Sequence, residues 1–325
     1  MIGAHFGNPG WEPSGMIFRV EDWDASTGMG SYAQAPQALV LEDRVRVFFS
    51  TRTPSSPSGS WISKPMFVDF SRSMNERISP PQEVLITAAE TGAFDEHGIF
   101  PFSPLLIGEQ VLAYTTGWSR RESVSVETGV GLMISDDFGR SFRRVGPGPV
   151  LSASLQEPFL VCDGFVLQEG DGFIMWYCFG TDWANDMTTG VPERTYKISQ
   201  TSSPNPYEWR NSGGKQILTN VRGEFEAQAL PSVARVGGSF WMVFCHRDSF
   251  GFRKTESGQY ALGFAYSKDA ASWTREDALV KFPTRGFDSE MRCYPNIFEV
   301  DGSVVLLFNG NDFGRFGFGM ARWTG

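Results

Sequence analysis

Apolar and polar positions alternate along this chain in short runs, and helical i, i+3, i+4 spacing is nearly absent. The runs fall into a repeat. A proline begins a strand-like segment and an aromatic follows thirteen residues later: Pro36 and Phe49, Pro101 and Tyr114, Pro231 and Phe244, Pro295 and Phe308. Pro158 takes the same place in a stretched unit that reaches Trp176-Tyr177 through a longer hairpin at Gly170-Asp171-Gly172. Turn signals lie between proline and aromatic (Glu42-Asp43, Gly108-Glu109, Gly237-Gly238, Asp301-Gly302), so each unit reads strand, tight turn, strand. A third strand follows, as in Val130–Ser135, Tyr196–Ser199 and Leu262–Ser267. Next come a turn with Phe142, Trp209 or Trp273 and a short fourth strand such as Pro149-Val150-Leu151 or Gln216-Ile217-Leu218.

The prolines are 65, 57, 73 and 64 residues apart, and five such units fill all 325 residues. Four-stranded units repeated around an axis make a propeller. The expected fold is therefore all-β, a single five-bladed propeller over residues 1–325. The last unit stops after its third strand, near Trp323. The segment around Met16–Val20 is expected to supply the missing strand and close the ring. Ser135-x-Asp137-x-Gly139-x-x-Phe142 fits an Asp-box, whose side chains hold a hairpin turn and carry no chemistry.

Composition supports this reading and excludes several functions. The 36 Gly, 19 Pro and 28 Phe suit short strands and tight turns. The net charge is −9, and no basic run offers nucleic acid an electrostatic footprint. No apolar stretch is long enough for a membrane helix. The opening residues Met1–Gly7 lack the basic-then-apolar order of a secretory signal, and His5 reads as a terminal residue. Cys162, Cys178, Cys245 and Cys293 have no CxxC spacing, which predicts reduced, buried thiols in a cytoplasmic protein and argues against zinc. No metal or cofactor is expected, a channel Ca²⁺ being left open. A G-x-S-x-G elbow and a P-loop are both missing, and three His are too few for a His-rich centre.

The chemistry is expected where inner strands converge. Three units share a phrase ahead of the proline: Gly92-Ala93-Phe94-Asp95-Glu96-His97-Gly98, Gly223-Glu224-Phe225-Glu226-Ala227-Gln228 and Gly286-Phe287-Asp288-Ser289-Glu290-Met291-Arg292. A fourth has Gln156-Glu157-Pro158, and the first has only Gln34-Ala35-Pro36. Register alone thus brings Asp95, Glu157, Glu226, Asp288 and Glu290 towards one channel mouth. Clustered carboxylates separate in pKa, as acid/base chemistry on a glycosidic bond requires. The same phrase also reads as a fold device, with the Phe packing between blades and the acid capping amides. Arg52, Trp118, Trp183, His246, Arg247, Asn309 and Asn311 follow the second strands and supply the aromatic faces and fixed donors that sugar sites use. Gln34, His97, Arg292 and Tyr294 join them at the strand openings.

These features resemble the five-bladed propeller glycoside hydrolases, such as families 32, 43, 62 and 68. More closely, they resemble "glycosylase" propellers encoded in bacterial surface-polysaccharide clusters. The resemblance spans nearly the whole chain, and its most specific part is Asp288-Ser289-Glu290-Met291-Arg292-Cys293-Tyr294-Pro295, followed by Asn309–Gly319. The family 43 pattern opens its first blade with a catalytic Asp. Here Gln34-Ala35-Pro36 stands there, so either the roles are rotated around the ring or the mechanism differs.

The resulting expectation is an enzyme acting on a carbohydrate or nucleotide-linked sugar, with Glu290 as general acid and Asp95 as general base or nucleophile. Asp288, Glu157 and Glu226 would tune them or bind hydroxyls, and Arg292 would hold an anionic group of the sugar. The alternatives are a transferase or phosphorylase using the same pocket, and a non-catalytic carbohydrate-binding propeller. A monomer or small homo-oligomer is expected, with neither nucleic-acid nor membrane partners.

Overall fold

A computed structural model describes residues 10–23, 31–55, 60–187, 189–253 and 259–325. His5 and the rest of the opening segment lie outside them. Five sheets surround one axis. Blade 1 is formed by Ser31–Val40, Val45–Ser55, Ser60–Phe70 and the short Gln82–Glu83. Blade 2 comprises Ile99–Ile107, Gln110–Arg120, Val126–Ser135 and Ser141–Arg144. Leu85–Ile86 pairs in parallel with its outer strand. Blade 3 has Val161–Glu169, Gly172–Asn185 and Pro192–Ser203. Blade 4 has Glu226–Val236, Ser239–Asp248, Ala261–Ser267 and Thr274–Arg275. Blade 5 has Cys293–Val300, Ser303–Asn309 and Gly317–Trp323.

The outermost strand of blade 5 is Trp11–Arg19, which runs antiparallel to Gly317–Trp323 from Trp11 opposite Trp323 to Arg19 opposite Gly317. The ring is therefore closed by an N-terminal strand, one that begins earlier than the Met16–Val20 segment. Phe18 stacks on Phe318 with ring centroids 5.1 Å apart, and the Trp11 indole donates to the Leu279 carbonyl at 3.0 Å. No helix among the described residues is long and apolar enough to cross a membrane.

Two details depart from the sequence reading. The fourth strand of blade 2 is Ser141–Arg144, so Phe142 lies within it, and Leu151 only bridges Val130. In blade 3 the expected fourth strand at Gln216–Leu218 contributes one ladder bond, from the Ile217 N–H to the Ile198 carbonyl at 3.0 Å. The Asp-box turn forms as expected. Ser135 Oγ bonds Asp137 at 2.7 Å, and the Asp137 carboxylate accepts from the Arg140 and Ser141 amides. Ser267 and Asp269 repeat this turn in blade 4, with Ala270 at φ 56° where no glycine marks it.

The inner strands share a register that the proline count only partly captures. Each carries a bulge two residues wide, at Ala35-Pro36, Phe100-Pro101, Asp163-Gly164, Leu230-Pro231 and Tyr294-Pro295. In blade 3 the place of the proline is thus taken by Gly164, and Pro158 lies ahead of the strand. Thirteen residues after Gly164 comes Tyr177, so the spacing of the other blades holds here too. Phe49, Tyr114, Tyr177, Phe244 and Phe308 are all fully buried and form the repeated packing of blade on blade. Neighbouring blades are also fastened at the bulges. Asn309 Oδ1 accepts from the Ala35 amide at 2.8 Å, Thr116 Oγ1 from the Asp163 amide at 2.7 Å, and Asp163 Oδ2 from the Leu230 amide at 3.1 Å.

Candidate active site in the axial cavity

On the face where the inner strands open, the bulges and adjoining loops enclose a cavity of about 340 Å³ lined by all five blades. That volume is typical of a small-molecule site. Blade 1 contributes Gln34, Arg52, Trp61 and Ser63, and blade 2 His97, Phe100, Trp118 and Arg120. Blade 3 supplies Cys162, Asp163, Arg194 and Tyr196, and blade 4 Arg247, Phe252, Arg253 and Tyr260. Tyr294 and Phe313 complete the wall from blade 5.

Aromatic rings form a continuous side of this space. Phe100 packs on Trp118 at 6.0 Å and on Tyr294 at 5.2 Å, and Tyr260 joins Tyr294 to Phe313 at 5.8 and 6.1 Å. Flat apolar faces beside fixed hydroxyls and guanidiniums suit a sugar ring.

Among the described residues that line the cavity, Asp163 is the only carboxylate. Burial raises its pKa to about 6, against the hydrogen bond from the Leu230 amide and the pull of Arg194. The Cys162 and Cys178 thiols stand beside it, from directly opposite positions on paired strands. These three side chains place donor atoms within 4.8 Å of one another, the spacing a metal ion would need. Burial drives Cys178 well above the usual thiol range. Cys162 is also raised, because burial and the Asp163 charge outweigh its hydrogen bond with Cys178. Both thiols are therefore protonated in this arrangement, which makes a hydrogen-bonded bed for the carboxyl. All four cysteines are buried free thiols.

The five carboxylates expected at the channel mouth lie elsewhere; none of them lines the cavity. Asp95 is buried and takes both Nε and Nη2 of Arg144, at 3.0 and 2.7 Å, on the outer strand of its own blade. Glu157 is fully buried and accepts from Tyr177 Oη, Asn211, Ser212 and the Gly214 amide. Glu226 receives Arg275 at 2.6 Å and the amides of Val221 and Arg222. Burial opposes its ionisation, but hydrogen bonds from Gln228, Arg275 and Val221 prevail and hold its pKa low. Asp288 accepts from Arg292 at 2.7 Å and from the Arg285 amide. Glu290 is exposed, its amide capped by Asn311 Oδ1 at 3.0 Å.

The physical reason is local. Asp95, Glu157 and Glu226 each tie the strand entrance to the outer part of their blade, while Asp288 closes its own loop through Arg285 and Arg292. Phe94, beside Asp95, packs under the sheet against Gly117 and Gly131, where a Cβ would come within 2.5 and 2.6 Å of its ring. This matches the fold-device alternative.

Of the expected binding residues, Gln34, Arg52, His97, Trp118, Arg247 and Tyr294 do line the cavity. Trp183 stands behind that wall, 5.8 Å from the Arg194 guanidinium. Asn309 is buried as a fastener between Ala35, Ala33 and Gly317. Asn311 caps the Glu290 turn, and Arg292 holds Asp288 and the carbonyls of Phe282 and Pro283. His246 faces a separate groove beside Arg222, Asp277 and Glu226. Burial and the Arg275 charge lower its pKa to about 4, so it is neutral and accepts from Arg222 Nε at 3.0 Å.

Asp163, Arg194, Tyr196 and Tyr260 also line the cavity and were not singled out from the sequence. The signal for Asp163 was present: the thirteen-residue rule, applied backwards from Tyr177, lands on Gly164 and puts Asp163 at the bulge.

No protein-family model matches the chain. Two uncharacterised proteins of Mycobacterium tuberculosis, one from each of two strains, are 28% identical to it over 319 residues, covering 96% of this chain and 98% of theirs. Among solved structures, a glycoside hydrolase superposes with a TM-score of 0.71 at 14% identity, over 95% of this chain and 90% of its own. A thermostable family-43 glycoside hydrolase gives 0.63 at 10% identity, over 90% and 89%. A structure from the GH130 family of mannoside phosphorylases, described as containing hydrolases of β-1,2-mannosidic linkages in Candida mannan, gives 0.62 at 12%, over 90% and 84%. The fold of this chain is that of the five-bladed propeller glycoside hydrolases.

Proposed function

We propose that the chain is a carbohydrate-active enzyme that cleaves a glycosidic bond in the axial cavity, with Asp163 as the general acid. The observation that carries this is the single carboxylate among the described lining residues, buried and with its pKa raised to about 6. A carboxyl poised there is partly protonated near neutrality and can give its proton to the leaving glycosidic oxygen as the anomeric C–O bond breaks. Asp163→Asn is expected to lower kcat by about 10²-fold or more while leaving KM nearly unchanged. A variant of undiminished kcat overturns the assignment.

A second reading has its own observation. Paired-carboxylate hydrolysis needs a second acid to activate water or to attack carbon, and the lining offers arginines instead. Phosphate could serve as the nucleophile: its oxygen bonds to the anomeric carbon, the leaving oxygen takes the Asp163 proton, and a sugar 1-phosphate is released. Product analysis with and without phosphate separates the two. Free sugar in both cases indicates hydrolysis, and phosphate-dependent sugar 1-phosphate indicates phosphorolysis. The roles first expected for Glu290 and Asp95 make a competing assignment, tested by Glu290→Gln and Asp95→Asn on the same substrate.

A further inference from the structure

Arg247 is 1% exposed, yet no carboxylate lies within ion-pair distance of it among the described residues. Its neighbours are neutral. Nε donates to Tyr260 Oη at 3.2 Å, Nη1 to the Asp248 and Ser249 carbonyls at 2.8 and 3.2 Å, and Nη2 to Tyr196 Oη at 3.3 Å. The Phe252 ring covers its face at 3.7 Å. These contacts account for four of the five guanidinium N–H donors. An isolated buried charge is costly, and buried cations are ordinarily paired.

The rest of the lining deepens the imbalance. Arg194 reaches Ser125 Oγ and the faces of Trp118 and Tyr196, and Arg52 lies over Tyr32. Arg120 donates to the Trp61 carbonyl. Among the described residues Arg253, 3.8 Å from Glu193, is the one lining arginine in an ion pair, while Arg194 acts on the Asp163 charge without pairing with it. Among the described residues, five arginines therefore face a cavity with one lining carboxylate, itself largely uncharged below about pH 6.

We infer that the ligand of the axial cavity carries an anionic group, a carboxylate or a phosphate, seated against Arg247 and the paired hydroxyls of Tyr196 and Tyr260. Those hydroxyls lie 2.7 Å apart, so one donates to the other, and the remaining hydroxyl hydrogen and the free Nη2 hydrogen present two donors to one oxyanion. Arg194 and Arg52 widen the positive field around it. The inference rests on the axial cavity being the substrate site, but not on the role given to Asp163.

Binding is measured calorimetrically on the full chain with glucuronate, N-acetylneuraminate, glucose 1-phosphate, glucose and inorganic phosphate. The acidic sugars or the sugar phosphate are expected to bind at least about tenfold more tightly than glucose. Preference for the sugar acids assigns a carboxylate. Preference for glucose 1-phosphate, or for free phosphate, assigns a phosphate. Arg247→Met is expected to abolish the discrimination and Arg247→Lys to restore part of it. Glucose binding as tightly as its charged counterparts, or an anion preference that survives Arg247→Met, overturns the inference. The wild-type comparison decides the matter even if the variant does not fold. An anion preference with full activity in Asp163→Asn would refute the general acid alone.

Discussion

At the scale of the residue, the role proposed for Asp163 turns on a charge set by its surroundings. Asp163 has a folded pKa of about 6 against an ordinary carboxylate value of 3.8. The groups facing it are Cys162 and Cys178 within blade 3, the Leu230 amide from blade 4 and the Arg194 guanidinium. Because the folded value is raised, its contribution to stability is complete below about pH 4 and is lost as pH rises through about 6. Asp163→Asn should therefore gain on the wild type in stability between pH 4 and 7, by on the order of 2–3 kcal/mol at the upper end, as read from melts across that range. A melting difference independent of pH would show that the carboxyl is not perturbed. The same ionisation should reduce kcat above about pH 6 if Asp163 donates the proton. Activity and stability thus respond to one group, and Asn removes both dependences.

At the scale of the element, the buried acids at the blade entrances behave as rivets. Asp95 and Arg144 illustrate this: Arg144→Ala should cost about 3–5 kcal/mol, because it strands a carboxylate that is almost wholly buried. Glu290→Gln should lie within about 0.5 kcal/mol of the wild type, since Glu290 is exposed and its carboxylate holds nothing. Denaturant melts of the two variants make the comparison. A large loss in the second and none in the first would reverse the roles assigned to these acids.

The contrast also explains what could be read from sequence. Strands, turns and the five-fold count were legible because proline, aromatic and turn residues recur at fixed separations. The site was only partly legible. An acid next to a glycine-bounded turn looks the same whether it points to the axis or to the outer strand. That choice depends on an Arg some fifty residues downstream, as with Asp95 and Arg144 or Glu226 and Arg275. Asp163 was hidden for the converse reason. Its blade has Gly164 where the others have proline, and Pro158 nearby offered a false register.

At the scale of the whole molecule, cooperativity depends on the seam between Trp11–Arg19 and Gly317–Trp323. Phe18 is buried there against Phe49 and Phe318, and Phe18→Ala should cost about 3–5 kcal/mol. Deleting residues 1–22 should abolish the single cooperative transition in a thermal melt; a truncated chain that still melts sharply would show that the remaining blades hold together without it.

That seam also imposes an order on biosynthesis. Trp11–Arg19 leaves the ribosome about 300 residues ahead of the only strand it pairs with. Throughout translation it is an unpaired ribbon with apolar side chains, the kind of open edge that other chains can capture. A nascent polypeptide interrupted anywhere before Trp323 would keep that edge exposed. The closing strand therefore marks a closed ring from an open one.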